Sequence, residues 1–325
     1  MPARFTPEER FEYLKQFGSH CMAYSTLQPG MEYFDLPAVG YLAYMTHGRT
    51  RFVLGEPICA EADSPRLMDE ALRDHCDTCF VQIQKPTAEW LFSAHGFRLT
   101  QMGIETAIHL PSFQLSGRGK QVVRSSRNQA RNSGVVIKEV PAAEADWAVL
   151  QQVSSSWLKT RKSGRHEMAF LVRPLSKPHS KDVRSFLASR DGQIVGFILF
   201  DPMFNDRKIS GYFADTSRSN TAFRRGLYYA ILVDAIERFR SEGMEWLSLG
   251  LSPLSPSVRQ PVNSSRAFDA FLRFLFRFGN WRYNFKGIAF TKSRFDGRER
   301  PVYTAHRSRI PVLETFAIFR LSHVI

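Results

Sequence analysis

Arg184-Ser-Phe-Leu-Ala-Ser-Arg-Asp-Gly-Gln-Ile-Val-Gly-Phe-Ile-Leu-Phe200 is the stretch that decides the fold. Two β-prone runs, Arg184–Arg190 and Ile194–Phe200, flank Asp191-Gly192. That dipeptide suits the left-handed backbone of a tight hairpin turn. Before the hairpin, Val135–Val140 reads as a strand and Ala142–Leu158 as a helix. After it come a strand at Lys208–Ala214, an amphipathic helix at Phe223–Ser241 closed by Gly243, and a strand at Trp246–Leu249. A helix at Ser265–Phe278 and a last strand at Ala305–Ser308 complete the series.

The first part of the chain reads in a similar order. Thr6–Phe17 is a predicted helix, with Thr6 as cap, Pro7 in the first turn and Glu9 three residues beyond the cap. Strands follow at Tyr33–Leu36 and Val39–Thr46, and a helix opens at Ser64-Pro65 and runs to about Cys76. Cys79–Gln84 alternates like a strand, and Thr87–His95 is a helix stopped by Gly96. Phe97–Leu110 reads as two short strands around Gly103, and Lys120–Ser133 as a basic helix ended by Gly134. Two such passes predict an α/β (α+β) chain built from two copies of one unit, residues 1–137 and 138–325. The repeat rests on element order, since the halves share no visible identity.

Composition narrows the function. A hydrophobic content of 43% with 27 Phe among 325 residues supplies a sizeable core and excludes a disordered chain. No window approaches a membrane-spanning run, and Met1-Pro-Ala-Arg-Phe-Thr6 lacks an apolar signal core, so a cytoplasmic protein is expected. The net charge is +13, and it is clustered. Thr106–Lys138 and Ala270–Phe295 contain several Lys and Arg and no acidic residue. Two such blocks favour a polyanion partner, nucleic acid, an anionic lipid surface or both, over basic residues that merely decorate solvated faces.

The motifs themselves form a series. Gly96-Phe-Arg-Leu-Thr-Gln-Met-Gly-Ile-Glu-Thr106 precedes Leu110-Pro-Ser-Phe-Gln-Leu-Ser-Gly-Arg-Gly-Lys120, Arg124 and Arg127-Asn128. Then come Trp157-Leu-Lys159, Glu167-Met-Ala-Phe170, Asp215-Thr-Ser-Arg218, Leu249-Gly-Leu-Ser-Pro-Leu-Ser255 and Tyr283-Asn-Phe-Lys-Gly-Ile288, with Lys292 and Phe295. Over about residues 52–320 this series resembles the C-terminal catalytic domain of phosphatidylglycerol lysyltransferases, also called aminoacyl-phosphatidylglycerol synthases. The resemblance implies a tandem pair of GNAT (acyl-CoA N-acyltransferase-like) domains. It also implies transfer of an aminoacyl group from aminoacyl-tRNA to a hydroxyl or amine. Two departures stand out. The full-length lysyltransferases carry an N-terminal multi-pass flippase, which this sequence does not contain. The family's usual Asp-Leu-Met-Arg is Asp215-Thr216-Ser217-Arg218 here, followed by an unusual Ser219–Gly226.

An aminoacyl ester of tRNA is already activated, so transfer needs no metal and no cofactor. It needs positioning, removal of the acceptor's proton and stabilisation of an oxyanion. The resemblance makes Asp215 the group that orients or deprotonates the acceptor, and Arg218 the holder of a phosphate or of Asp215. Read locally, the two are a structural ion pair in a turn. Gly250, Ser252 and Ser255, with Glu167, Tyr283, Asn284 and Lys286, are the expected substrate contacts, although Tyr283 and Phe285 suit core packing equally well. Lys120, Arg124, Arg127, Arg131 and Lys292 are the expected tRNA contacts, with a plain solvated basic face as the alternative for the three arginines. Cys76-Asp-Thr-Cys79 beside His75 lacks the second ligand pair of a zinc site. Arg224-Arg225-Gly226 lacks the glycine spacing of an acetyl-CoA loop, and no Walker or Rossmann fingerprint occurs. The stripe Phe268, Phe271, Leu272, Leu275 and Phe278 suits a core helix better than a membrane surface. Three readings stay open: aminoacyl transfer to a polar lipid such as phosphatidylglycerol, the same transfer to a soluble small molecule, and a non-catalytic RNA- or membrane-binding module.

Overall fold

The computed structural model describes residues 4–160, 167–178, 180–220, 226–255, 266–279 and 283–324. Its first half contains α1 (Pro7–Phe17), β1 (Glu32–Leu36), β2 (Gly40–His47), β3 (Thr50–Leu54), β4 (Ile58–Cys59), α2 (Ser64–Asp74), β5 (Thr78–Ile83), α3 (Lys85–His95) and β6 (Arg98–His109). Then follow α4 (Gln121–Asn132), β7 (Val136–Pro141), α5 (Trp147–Leu158), β8 (Arg184–Arg190), β9 (Gln193–Asn205), β10 (Lys208–Ser219) and α6 (Leu227–Ser241). The chain closes with β11 (Trp246–Pro253), α7 (Arg266–Phe278), α8 (Phe285–Ser293), β12 (Arg298–His306) and α9 (Val312–Leu321).

Local signals account for the element ends. The Thr6 hydroxyl accepts from the Glu9 amide at 3.2 Å, and the Glu9 carboxylate accepts from the Thr6 amide at 2.7 Å, which closes a capping box. Asp191 and Gly192 take φ of 51° and 77°, the left-handed pair that the β8–β9 hairpin requires. Gly103 departs from the sequence expectation. The chain does not break there, because β6 runs unbroken through it. A Cβ at Gly103 would lie 2.4 Å from the Ser252 carbonyl oxygen, so glycine permits two strands to approach.

All the described strands join one mixed sheet, ordered β1-β2-β3-β5-β12-β6-β11-β10-β9-β8-β7, with β4 beside β2. β3–β5 and β10–β11 pair in parallel, and the other pairs are antiparallel. Each half is an antiparallel meander followed by a parallel crossover through a helix, α2 in one and α6 in the other. Each then sends its last strand to the other half. β6 pairs with β11, β12 pairs with β5, and β6 and β12 pair with each other at the centre. The two passes read from the sequence are therefore present and interlocked.

Hydrophobic burial holds the layers. Phe239 of α6 is fully buried, with ring centroids 5.6, 5.2 and 4.5 Å from Phe186, Phe200 and Tyr212. Truncating such a side chain costs about 3–5 kcal/mol. On the other half, α2 and α3 bury Leu67, Met68, Leu72 and Leu91 against Phe80 and Phe97.

The exchange makes a direct prediction. Residues 1–137 expressed alone leave β6 without β12 or β11, and residues 138–325 leave β12 without β5 or β6. Neither piece is expected to show a cooperative thermal transition by circular dichroism, whereas mixing the two should restore one. A cooperative melt from either piece alone would overturn the interlocked account.

Candidate active site

β10 and β11 run in parallel as far as Phe213 and Ser248, where their mutual pairing ends. Both strands continue, held from their outer sides by β9 and β6. Each carries a register shift at this level, at Ala214/Thr216 on β10 and at Ser248/Gly250 on β11. Gly250 takes φ of 71°, and a Cβ there would lie 2.5 Å from the Phe213 ring. The strands thus part around a cavity of about 610 Å³. Its wall is mostly apolar, with Met22, Met102, Phe213, Tyr228, Leu272 and Ile318. Asp215, Arg218 and Lys292 also line it.

Asp215 was expected at a strand end, and Arg218 in the turn after it. Both lie within β10, which extends to Ser219. The Asp215 side chain has no solvent exposure, and its Oδ2 accepts from the Thr216 hydroxyl at 2.9 Å and lies 3.9 Å from Arg173 Nε. Its Oδ1 takes no hydrogen bond among the described residues. Arg173 is committed to Asp201 by a bidentate pair at 3.0 and 2.6 Å. Burial, reinforced by the Asp201 charge, pushes the Asp215 carboxyl well above the usual carboxylate range, against the pull of Arg173, Thr216 and Arg218. This carboxyl is built to hold or exchange a proton.

Arg218 does not hold Asp215 by a direct hydrogen bond. Its Nη2 donates to Glu167 at 2.9 Å, its Nε to the Ser154 hydroxyl at 3.2 Å, and its guanidinium lies 4.1 Å over the Trp157 ring. Glu167 accepts from Ser154 as well, at 2.6 Å, so its carboxylate positions Arg218.

Lys292, an expected tRNA contact, lies half-buried in the cavity wall. Its Nζ donates to the Leu251 carbonyl at 2.6 Å. Burial lowers its pKa to about 7, with Cys21 and Glu105 opposing. A buried amine of this kind is a usable base near neutrality.

Of the other expected substrate contacts, Gly250, Tyr283 and Asn284 line the cavity, while Ser252, Ser255, Glu167 and Lys286 do not. The Asn284 side-chain oxygen Oδ1 caps α8 by accepting from the Gly287 amide at 3.1 Å. The expected tRNA helix, α4, is largely engaged internally. Arg124 donates to the Leu115 and Gly117 carbonyls at 2.8 and 2.7 Å. Arg127 binds Glu237 at 2.5 Å and Asp234 at 3.1 Å on α6, and Arg131 lies 3.8 Å from Asp234. Lys120 is half-buried and lies over the Phe113 ring at 4.9 Å. Arg224, Arg225 and most of the segment after Arg218 lie outside the described residues.

Three residues at the site had no motif to announce them. Arg173 and Asp201 set the field at Asp215. Gln82 lines the cavity with φ of 61° inside β5, and its buried amide oxygen takes no hydrogen bond among the described residues. Backbone strain in a non-glycine residue clusters at functional sites.

A family model described as "Phosphatidylglycerol lysyltransferase, C-terminal" matches residues 11–306. A Phosphatidylglycerol lysyltransferase of Bacillus subtilis (strain 168) is 23% identical over 97% of this chain and 37% of that protein. One from Staphylococcus xylosus is 22% identical over 86% of this chain and 33% of that protein. The chain thus spans about a third of these relatives' length. The structure of L-PGS from Bacillus licheniformis superposes with a TM-score of 0.82 at 19% identity, covering 98% of this chain and 96% of that one. That likeness concerns the fold, the mixed α/β class expected from the sequence.

Lys292 gives a pH test. Its folded pKa of about 7 lies below the ordinary 10.5, so stability falls as pH drops from about 10 through about 7. Lys292→Met should gain stability relative to wild type most at about pH 7 and below, with the gap narrowing toward about pH 10. Urea denaturation across that range measures it, and a gap independent of pH would contradict the burial account.

Proposed function

The chain belongs to the phosphatidylglycerol lysyltransferase C-terminal family, and on that premise we propose that it is an aminoacyltransferase acting on a polar lipid. The donor is an aminoacyl-tRNA, and the acceptor is a hydroxyl of a phospholipid headgroup such as that of phosphatidylglycerol. The observation that carries the reading is the fork between β10 and β11. It sets a desolvated carboxyl, Asp215, into the wall of a mainly apolar cavity. Such a wall suits an acceptor with acyl chains better than a soluble polar metabolite. Among the described residues, no helix is long and apolar enough to cross a membrane.

The chemistry follows from these groups. The acceptor oxygen attacks the ester carbonyl carbon, and a C–O bond forms. Asp215 orients the acceptor hydroxyl and takes its proton, for which its raised pKa fits it near neutrality. The tetrahedral intermediate collapses, the bond to the terminal ribose breaks, and the ribose oxygen leaves with a proton. The Lys292 amine is a second group able to carry a proton there, or, as ammonium, to stabilise the oxyanion. Arg218, fixed by Glu167 and Ser154 and facing the cavity, serves the headgroup phosphate. Charged tRNA is met by basic groups ahead of α4, the half-buried Lys120 among them.

Asp215→Ala is expected to lower transfer by about 10²–10⁴-fold while leaving charged-tRNA affinity unchanged. The assay offers charged tRNA pools together with phosphatidylglycerol or soluble metabolites, and follows the label into lipid. Retained activity in the variant would remove Asp215 from the mechanism. Label appearing only in a soluble product would replace the lipid acceptor.

A further inference from the structure

Among the described residues, eleven large hydrophobic side chains are exposed, and eight of them fall on or beside α7, α8 and α9. Phe271, Phe274 and Phe278 project from α7, with Phe274 56% exposed. Phe290 projects from α8 at 52%, and Leu313 from α9 at 80%, flanked by Ile310, Val312 and Phe316. Scattered apolar residues are ordinary on a surface, but this concentration is not. The sequence expectation of a buried α7 holds only for its inner side, where Phe268 and Leu272 are buried.

The same three helices line the cavity with their inner faces, through Leu272, Ile288, Thr291, Pro311, Thr315 and Ile318. Basic residues alternate with the outward apolar ones. Arg273, Arg277, Lys286 and Arg309 are exposed, Arg277 lies 5.4 Å from the Phe278 ring centre, and Arg294 lies 4.4 Å from that of Phe290. The sequence from Ala270 to Phe295 contains no acid. The acids on these helices are Asp269 at the start of α7 and Glu314, which accepts from Ser308.

We propose that the outer faces of α7, α8 and α9 form a docking surface for an anionic lipid bilayer. The apolar side chains enter the headgroup–acyl boundary and the arginines and lysine meet lipid phosphates. This rests on the lipid-acceptor reading and gives it a route, since the docked helices are those that wall the cavity. RNA fits the surface less well. Bases stack on rings, whereas Ile310, Val312 and Leu313 are aliphatic and offer a base no stacking partner.

The test uses the full chain and vesicles of phosphatidylglycerol mixed with phosphatidylcholine, against phosphatidylcholine alone. Wild type should co-sediment with the mixed vesicles and much less with the neutral ones. Phe274→Asp combined with Leu313→Asp should weaken vesicle binding by about tenfold or more. The same variant should still aminoacylate a short-chain phosphatidylglycerol dispersed below its micelle concentration. Arg273→Glu with Arg277→Glu, which alters only exposed charge, should erase the preference for anionic vesicles. Vesicle binding unchanged in both variants overturns the proposal. So does loss of tRNA binding with vesicle binding intact, which would assign the face to RNA. If vesicle binding responds as stated but wild type aminoacylates no lipid, the acceptor reading fails and the docking surface stands.

Discussion

The pairing of β6 with β12 is the constraint on which the remaining architecture depends. It runs from Arg298 opposite Ala107 to His306 opposite Arg98, and it joins the last strand of each half in the middle of the sheet. β6 then fixes the outer edge of β11. With β11 pinned on that side and β10 pinned by β9, the two parallel strands can separate beyond Phe213 and Ser248 without unravelling. The cavity is the result. An open fork in an unsupported pair would close or fray, because beyond the split neither strand would keep a ladder partner.

Charge inside the fork follows from desolvation. Asp215 lies beside two formal charges that are already paired, Arg173 and Asp201. Arg173 therefore has little attraction left for a second carboxylate, while Asp201 repels one. The consequence is an acid held protonated at a higher pH than usual. Lys292, forced into the same wall, moves in the opposite direction. Two groups of opposite charge type are thus brought toward the same pH range by a shared dry environment. Arg218 differs, because Glu167 balances it and Trp157 covers its face. Its guanidinium is held in a fixed orientation.

What could be read from the sequence was what adjacent residues decide. The Thr6 cap, the Gly96 stop and the Asp191-Gly192 turn each depend on neighbours a few positions away, and each end of an element was legible accordingly. The order of elements, and hence two repeated passes, followed from them. The exchange was not legible, because strand order records contacts between residues far apart in the chain. Asp215-Thr-Ser-Arg218 looked like a turn because its side chains are polar, yet the strand continues wherever a neighbouring strand supplies hydrogen bonds. At the site, Asp215 and Gly250 were named because a motif marked them. For Arg127 tRNA contact and a solvated face stayed equally open, and the place of Lys292 in the cavity wall was not legible, because a formal charge carries no statement of burial or partners. Arg173, Asp201 and Gln82 belong to no motif, and their roles come only from where the fold sets them. The short helices α8 and α9 escaped notice because their apolar residues fit no clean period.

The crossed final strands also impose a timetable on synthesis. β5 emerges from the ribosome about 200 residues before β12, so at roughly 5–20 residues per second its open edge waits some 10–40 s for its neighbour. During that interval an unpaired strand invites partners from other nascent chains. Short length and early cover by α2 and α3 are the available protections, and the cell's holdases are the natural custodians of the interval.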